Sequence, residues 1–71
     1  MLGTITRIER GKGFGFLRDE TGRSRFFHSR DLAFDFDLIA EGSNVHFEPA
    51  DGPANKGNGL RAVKLTVIHA A

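Results

Sequence analysis

Apolar side chains recur in short alternating runs separated by glycine, a spacing that fits strands and not helices. The first run, Leu2 to Arg10, has Ile5 and Ile8 as its apolar anchors. Two anchors so spaced break simple alternation, which predicts a bulge that points both inward and turns Thr6 and Arg7 outward. The second run, Gly13 to Arg18, sets Phe14, Phe16 and Arg18 on one face and Gly13, Gly15 and Leu17 on the other. Asp19-Glu20-Thr21-Gly22 predicts a turn in which Gly22 takes positive φ. In Ser24 to His28, Phe26 and His28 share one face, and Arg25 and Phe27 the opposite one. Ser29-Arg30-Asp31-Leu32 predicts a tight helical turn with Leu32 packed beneath it. The segment Ala33 to Glu41 is a loop carrying Phe34 and Phe36 between aspartates.

Gly42 introduces a strand over Ser43 to Glu48, with Val45 and Phe47 on one face, His46 outward and Pro49 at its end. Asp51 to Gly59, rich in glycine and asparagine, predicts a long mobile loop. The last strand, Leu60 to Ile68, alternates Val63, Leu65 and Val67 inward against Ala62, Lys64 and Thr66 outward. Five strands in 71 residues predict an all-β chain, a five-stranded antiparallel barrel of OB type. Its length makes it one domain, 1–71, with the barrel over about 2–68 and a short C-terminal tail.

Composition removes several function classes. The absence of cysteine excludes disulfide staples and thiolate metal sites, and His28, His46 and His69 lack the close pairing of a zinc motif. No metal and no cofactor are expected. Asp31, Asp35 and Asp37 read as solvated loop carboxylates, without the oxygen-ligand order of a calcium loop. His28 has no nucleophile and orienting acid at readable spacing, so the chain is not expected to be an enzyme. Ten Lys+Arg against nine Asp+Glu give a formal charge of +1, so attraction for a polyanion has to come from local patches. No apolar run approaches the ~18 residues that cross a bilayer, and no secretory signal is visible. A cytoplasmic chain with no membrane partner is expected.

Lys12-Gly13-Phe14-Gly15-Phe16 carries the functional signal. With two glycines and a leucine inside, and two phenylalanines and an arginine outside, the strand is inverted unless the outer face has a use. Flat rings on a sheet stack unpaired bases, at about 1–3 kcal/mol each, while neighbouring cations meet phosphates. On this strand alone the opposite assignment, phenylalanines in the core and glycines in water, stays open. The next strand narrows it: a short hairpin brings Phe26 and His28 beside Phe14 and Phe16, giving one patch of three rings and an imidazole.

The pattern Lys12-Gly-Phe-Gly-Phe16 followed by Arg25-Phe-Phe-His28 resembles the two ribonucleoprotein motifs of bacterial cold-shock proteins. Glu41-Gly42, Val45 and Phe47-Glu48 match the start of that family's fourth strand, and Lys56-Gly57 matches its basic loop, so the resemblance runs over nearly the whole chain. It implies a barrel that binds single-stranded RNA or DNA with little sequence selectivity. Carried over by position, Phe14, Phe16 and Phe26 stack bases, His28 adds a fourth platform, Lys12 contacts the backbone, and Phe36 and Lys56 extend the surface. Phe36 equally fits a loop residue that clamps its own apolar base, and Phe34 has no counterpart.

The chain also departs from the family. Lys-Trp-Phe-Asn of the first strand is here Thr6-Arg7-Ile8-Glu9, and the aromatic after the histidine is Ser29. Arg7 either replaces the tryptophan by guanidinium stacking or is an ordinary solvated arginine. Glu9 adds repulsion near phosphate, and the loss of two platforms implies weaker binding than that of a standard member. Arg30 either restores charge or pairs with Asp31 or Asp35.

The leading expectation is a passive single-strand binder, an RNA chaperone or regulator, monomeric, with a strand-exchanged dimer open to it through an exposed first or fourth strand edge. The alternatives are a protein-interaction module on the same barrel and an N-terminal domain of a longer protein.

Overall fold

A strand with one wet and one dry face must alternate with a period of two, and the observed elements follow that alternation except at breaks in the first and the last strand. The computed structural model describes residues 1–32, 36, 39–55 and 57–68. It contains β1 (Leu2–Glu9), β2 (Phe14–Asp19), β3 (Ser24–His28), β4 (Asn44–Pro49) and β5 (Ala62–Val67). They form one antiparallel sheet in the order β3-β2-β1-β4-β5. The sheet curls until β5 returns to β3, where the Phe26 amide donates to the Leu60 carbonyl at 3.2 Å. Parallel bridges, Phe26 with Arg61 and Leu32 with Leu65, complete the barrel. Single 3-10 turns stand at Arg10–Lys12 and Ser29–Asp31, and among the described residues no helix is long and apolar enough to cross a membrane.

Ile5, Leu17, Phe27, Ile39, Val45, Phe47, Ala62 and Leu65 fill the barrel, with Met1, Ile8, Leu32, Phe36 and Val67 packed around them. Each large side chain so buried contributes about 1.5–3 kcal/mol. The bulge expected in β1 lies between Ile5 and Arg7, where the register with β2 shifts; Ile5 and Ile8 both reach the core and Thr6 and Arg7 stay outside. Beneath Phe14 and Phe16, Gly15 is buried so tightly that a Cβ there would stand 2.6 Å from both the Arg7 carbonyl oxygen and Phe27 Cζ. Gly22 takes the positive φ expected of it, +87°.

β1 and β4 are interior strands, so neither offers the full free edge that strand exchange would use. They pair only over Leu2–Thr4. Further along β1, the Ile5 amide donates to the Ser43 carbonyl at 2.9 Å, and the Ile8 amide is taken by the Glu41 carboxylate at 3.1 Å.

The last strand departs from simple alternation. Ala62, expected outside, is fully buried. Lys64 has a left-handed backbone (φ 54°), and the register with β4 shifts between His46 and Glu48. This break lets Ala62 and Leu65 both face inward, with Val63 and Val67 half-buried. The loop over residues 51–59 is held by its own hydrogen bonds: Gly52 to the Gly59 carbonyl at 3.0 Å, and Asn55 Nδ2 to Ala50 and Gly59 carbonyls at 2.7 and 3.1 Å.

The interior also holds charge. Arg25 is buried, with its Nε donating to Asp19 Oδ2 at 2.7 Å, Nη1 bonded to Asp51, and its guanidinium carbon 5.6 Å from the Phe47 ring centre. Burial pushes the Asp19 carboxyl up, but hydrogen bonds from the Thr21 hydroxyl, Arg25 and the Arg23 and Thr21 amides outweigh it. The result lies well below the usual carboxylate range. A carboxyl lowered in the folded state adds stability that is complete above its ordinary value of 3.8 and is lost as pH falls further.

Two outcomes follow from this packing. Gly15→Ala is expected to lose about 1–3 kcal/mol in urea unfolding, because the obstacles are a backbone carbonyl and an enclosed ring. Asp19→Asn is expected to lose about 3 kcal/mol at neutral pH, since Arg25 keeps Asp51 as a partner. Its deficit against the wild type should shrink in unfolding series taken below pH 3.8; an unchanged deficit would contradict the assignment.

Candidate nucleic-acid interface

Residues directly opposite in an antiparallel pair point to the same face, so the register of β1, β2 and β3 lays out the outer surface. One row is Arg7, Phe16, Phe26; the next is Glu9, Phe14, His28. A third row, Thr4, Arg18, Ser24, continues it toward the Asp19 turn. The rows between, Ile8-Gly15-Phe27 and Ile5-Leu17-Arg25, face the interior. The assignment of phenylalanines outside and glycine inside is therefore the one the chain adopts.

The three rings touch one another. Phe14 and Phe16 stand edge-on with centres 5.9 Å apart, Phe16 and Phe26 likewise at 5.9 Å, and Phe14 and Phe26 lie tilted at 5.5 Å. Each is half-buried, so every ring is held by its neighbours and still presents surface. Phe14, Phe16 and Phe26 line an open recess of about 370 Å³ with Ser24, Gly57 and Asn58. Asn58 Nδ2 donates to the Ser24 carbonyl at 3.1 Å and pins the loop to β3 beside the rings.

His28 is fixed by its cap. Its amide donates to Asp31 Oδ2 at 2.8 Å, and its Nδ1 accepts from the Arg30 amide at 3.2 Å. That bond assigns the ring proton to Nε2. Asp31 is buried and gripped by Arg61 Nη2 at 3.0 and 3.1 Å, which corrects the expectation of a solvated loop carboxylate. Arg30 therefore does not hold Asp31; with His28, Phe26, Ala54, Asn55 and Arg61 it lines a second recess of about 220 Å³.

Of the cations, Lys12 is exposed on the turn between β1 and β2. Arg10 in the same turn is committed to the carbonyls of Phe36 and Ile39 at 3.3 and 2.5 Å. Arg7 lies beside Phe16 but is not an isolated solvated arginine: its Nε donates to Glu9 Oε1 at 2.6 Å. Phe36 is half-buried against the core, and no ring contact among the described residues joins it to the three-ring cluster. Lys56, together with Phe34, Asp35, Asp37 and His69, lies outside the described residues.

The sequence reading missed Ser24, Asn58 and Arg61 at this surface. An Asn-Gly pair inside a loop signals a turn, but no local pattern says which strand that turn lies against.

No family model matches the chain. Among curated proteins, it is 37% identical over 68 residues to the cold shock-like protein CspA of Shewanella violacea, covering 93% of this chain and 91% of that protein. It is 33% identical over 67 residues to the major cold shock protein CspA of Pseudomonas aeruginosa, with the same two coverages. Relatedness at this level along nearly the full length of both, on a five-stranded barrel with the aromatic face outward, shows that the chain belongs to the cold-shock protein family.

Proposed function

We propose that this chain binds single-stranded RNA or DNA on the face built by Phe14, Phe16 and Phe26, acting as a passive RNA chaperone or regulator in the cytoplasm. The observation that carries the reading is the mutual contact of three half-exposed rings on one sheet face. Apolar rings left at a surface need a partner that is flat and apolar on its own face, and an unpaired base is such a partner. His28 extends the platform, its ring orientation fixed by the bond at Nδ1. Lys12 and Lys56 supply charge for the phosphates, Arg7 stands where the family's first platform does, and Phe36 meets bases further along the strand.

The mechanism needs no cofactor and no chemical step. Rings occupied by bases hold them in the unpaired form, so binding draws weak secondary structure toward open strands. The conserved charge of the phosphate chain makes the affinity fall as salt rises.

Fluorescence-anisotropy titration of labelled oligo-dT and oligo-U, at low and moderate salt, tests this. Saturable binding that weakens with salt, and that drops by about tenfold or more in the folded Phe14→Ala, Phe26→Ala double variant, is the expected result. Binding that survives the double substitution would overturn the placement on the rings, and no binding at low salt by the folded protein would overturn the single-strand reading and favour a protein partner.

A further inference from the structure

Stacking alone leaves one column of the outer face without a task. Arg7 stands opposite Phe16 and Glu9 opposite Phe14, and the two side chains are hydrogen-bonded at 2.6 Å. As a unit the pair is close to neutral, so it adds little attraction for a phosphate backbone. What it does display is a set of directional groups at the rim of two ring platforms. With Nε committed, both Nη groups of Arg7 remain as donors and Glu9 Oε2 as an acceptor, without partners among the described residues. A guanidinium already gripped by a carboxylate also has less freedom to lose when a ligand arrives.

Base edges differ in what they offer such a pair. Guanine carries two acceptors, N7 and O6, and next to them two donors, N1–H and the N2 amino group, along one continuous rim. A guanidinium reads O6 and N7, the commonest specific arginine contact, and a carboxylate accepts from N1–H and N2–H. Adenine places an amino group where guanine has O6, so a donor meets donors. Cytosine offers O2 and N3 to the guanidinium and its amino group to Glu9, one donor fewer than guanine. Thymine and uracil have one N–H and no amino group. Guanine is the base whose rim presents two acceptors for the guanidinium and two donors for the carboxylate, the fullest match to the pair.

We propose that the Arg7–Glu9 pair is a base-edge reader that selects guanine within a bound single strand; this rests on the single-strand reading above. A base stacked on Phe14 or Phe16 turns its rim toward this column, and the pair discriminates by hydrogen bonding while the rings supply the affinity.

The test is a set of anisotropy titrations with seven-nucleotide thymine strands that carry guanine, adenine, cytosine or thymine at the centre. Two further strands carry 7-deazaguanine, which lacks N7, and hypoxanthine, which lacks the N2 amino group. The wild type should favour guanine over thymine by about tenfold, and each modified base should lose part of that ratio. Glu9→Gln and Arg7→Ala, each checked for folding by circular dichroism, should bring the ratio to about twofold or less. The ratio should also persist as salt rises, although every affinity weakens. Equal binding of all four strands by the wild type, or a guanine ratio that survives both substitutions, overturns the base-edge reader and leaves the single-strand function standing. Failure of every strand to bind overturns both.

Discussion

Between β2 and the ring of Phe27 there is room for a backbone and for nothing more. A five-stranded barrel has a narrow interior, and large side chains cannot occupy every inward position. Phe27 fills the space under Gly15, where even a methyl group would collide with its ring and with the Arg7 carbonyl. Gly15 nonetheless pairs on both sides, with Ile8 and with Phe27. Its two neighbours in the strand must then point outward, and both are phenylalanine. The outer aromatic face is thus the other half of an interior packing solution, and the position of Phe16 and Phe14 against β1 and β3 is fixed by it.

Charge holds the barrel where the ladder of backbone hydrogen bonds is thinnest. Arg25 links β3 to the end of β2 through Asp19 and to the loop after β4 through Asp51. Arg61, just before β5, reaches the turn after β3 through Asp31. The Arg61–Asp31 pair crosses the gap between β3 and β5, and Arg25–Asp51 ties β3 to the loop that leads into β5, where the strands meet through isolated bridges and not a continuous ladder. Buried ion pairs of this kind contribute less to net stability than their geometry suggests, but losing one partner strands the other in a medium that solvates it poorly. Asp31 also fixes the His28 backbone, so the closure of the barrel and the shape of the candidate surface share a residue.

Much of the architecture was legible because strand alternation reports directly which face is dry. Phe14, Phe16, Gly15 and Leu17 sorted correctly on that basis, and the spacing of Ile5 and Ile8 revealed the bulge. Alternation also placed Arg25 on the inner face, but not its partners, because Asp19 read as a turn residue and Asp51 as loop. Ala62 was placed outside because the pattern is blind to a left-handed step at Lys64, a backbone state that lysine gives no reason to expect. At the candidate surface, the rings and His28 were visible from their spacing. Arg7 and Glu9 were visible only as departures from a family pattern; that they grip each other follows from both lying on one face of the regular stretch of β1 beyond the bulge.

The outer half of β1 has a different consequence. Past Thr4 its far side has no strand beside it among the described residues, and the Ile8 amide is closed off by the Glu41 carboxylate. An open amide there would template the addition of another chain, the usual origin of edge-to-edge aggregation. Glu41 therefore caps a donor that a neighbouring chain would otherwise find, and together with the bonds of Ile5 to Ser43 and Gly42 it blunts this edge.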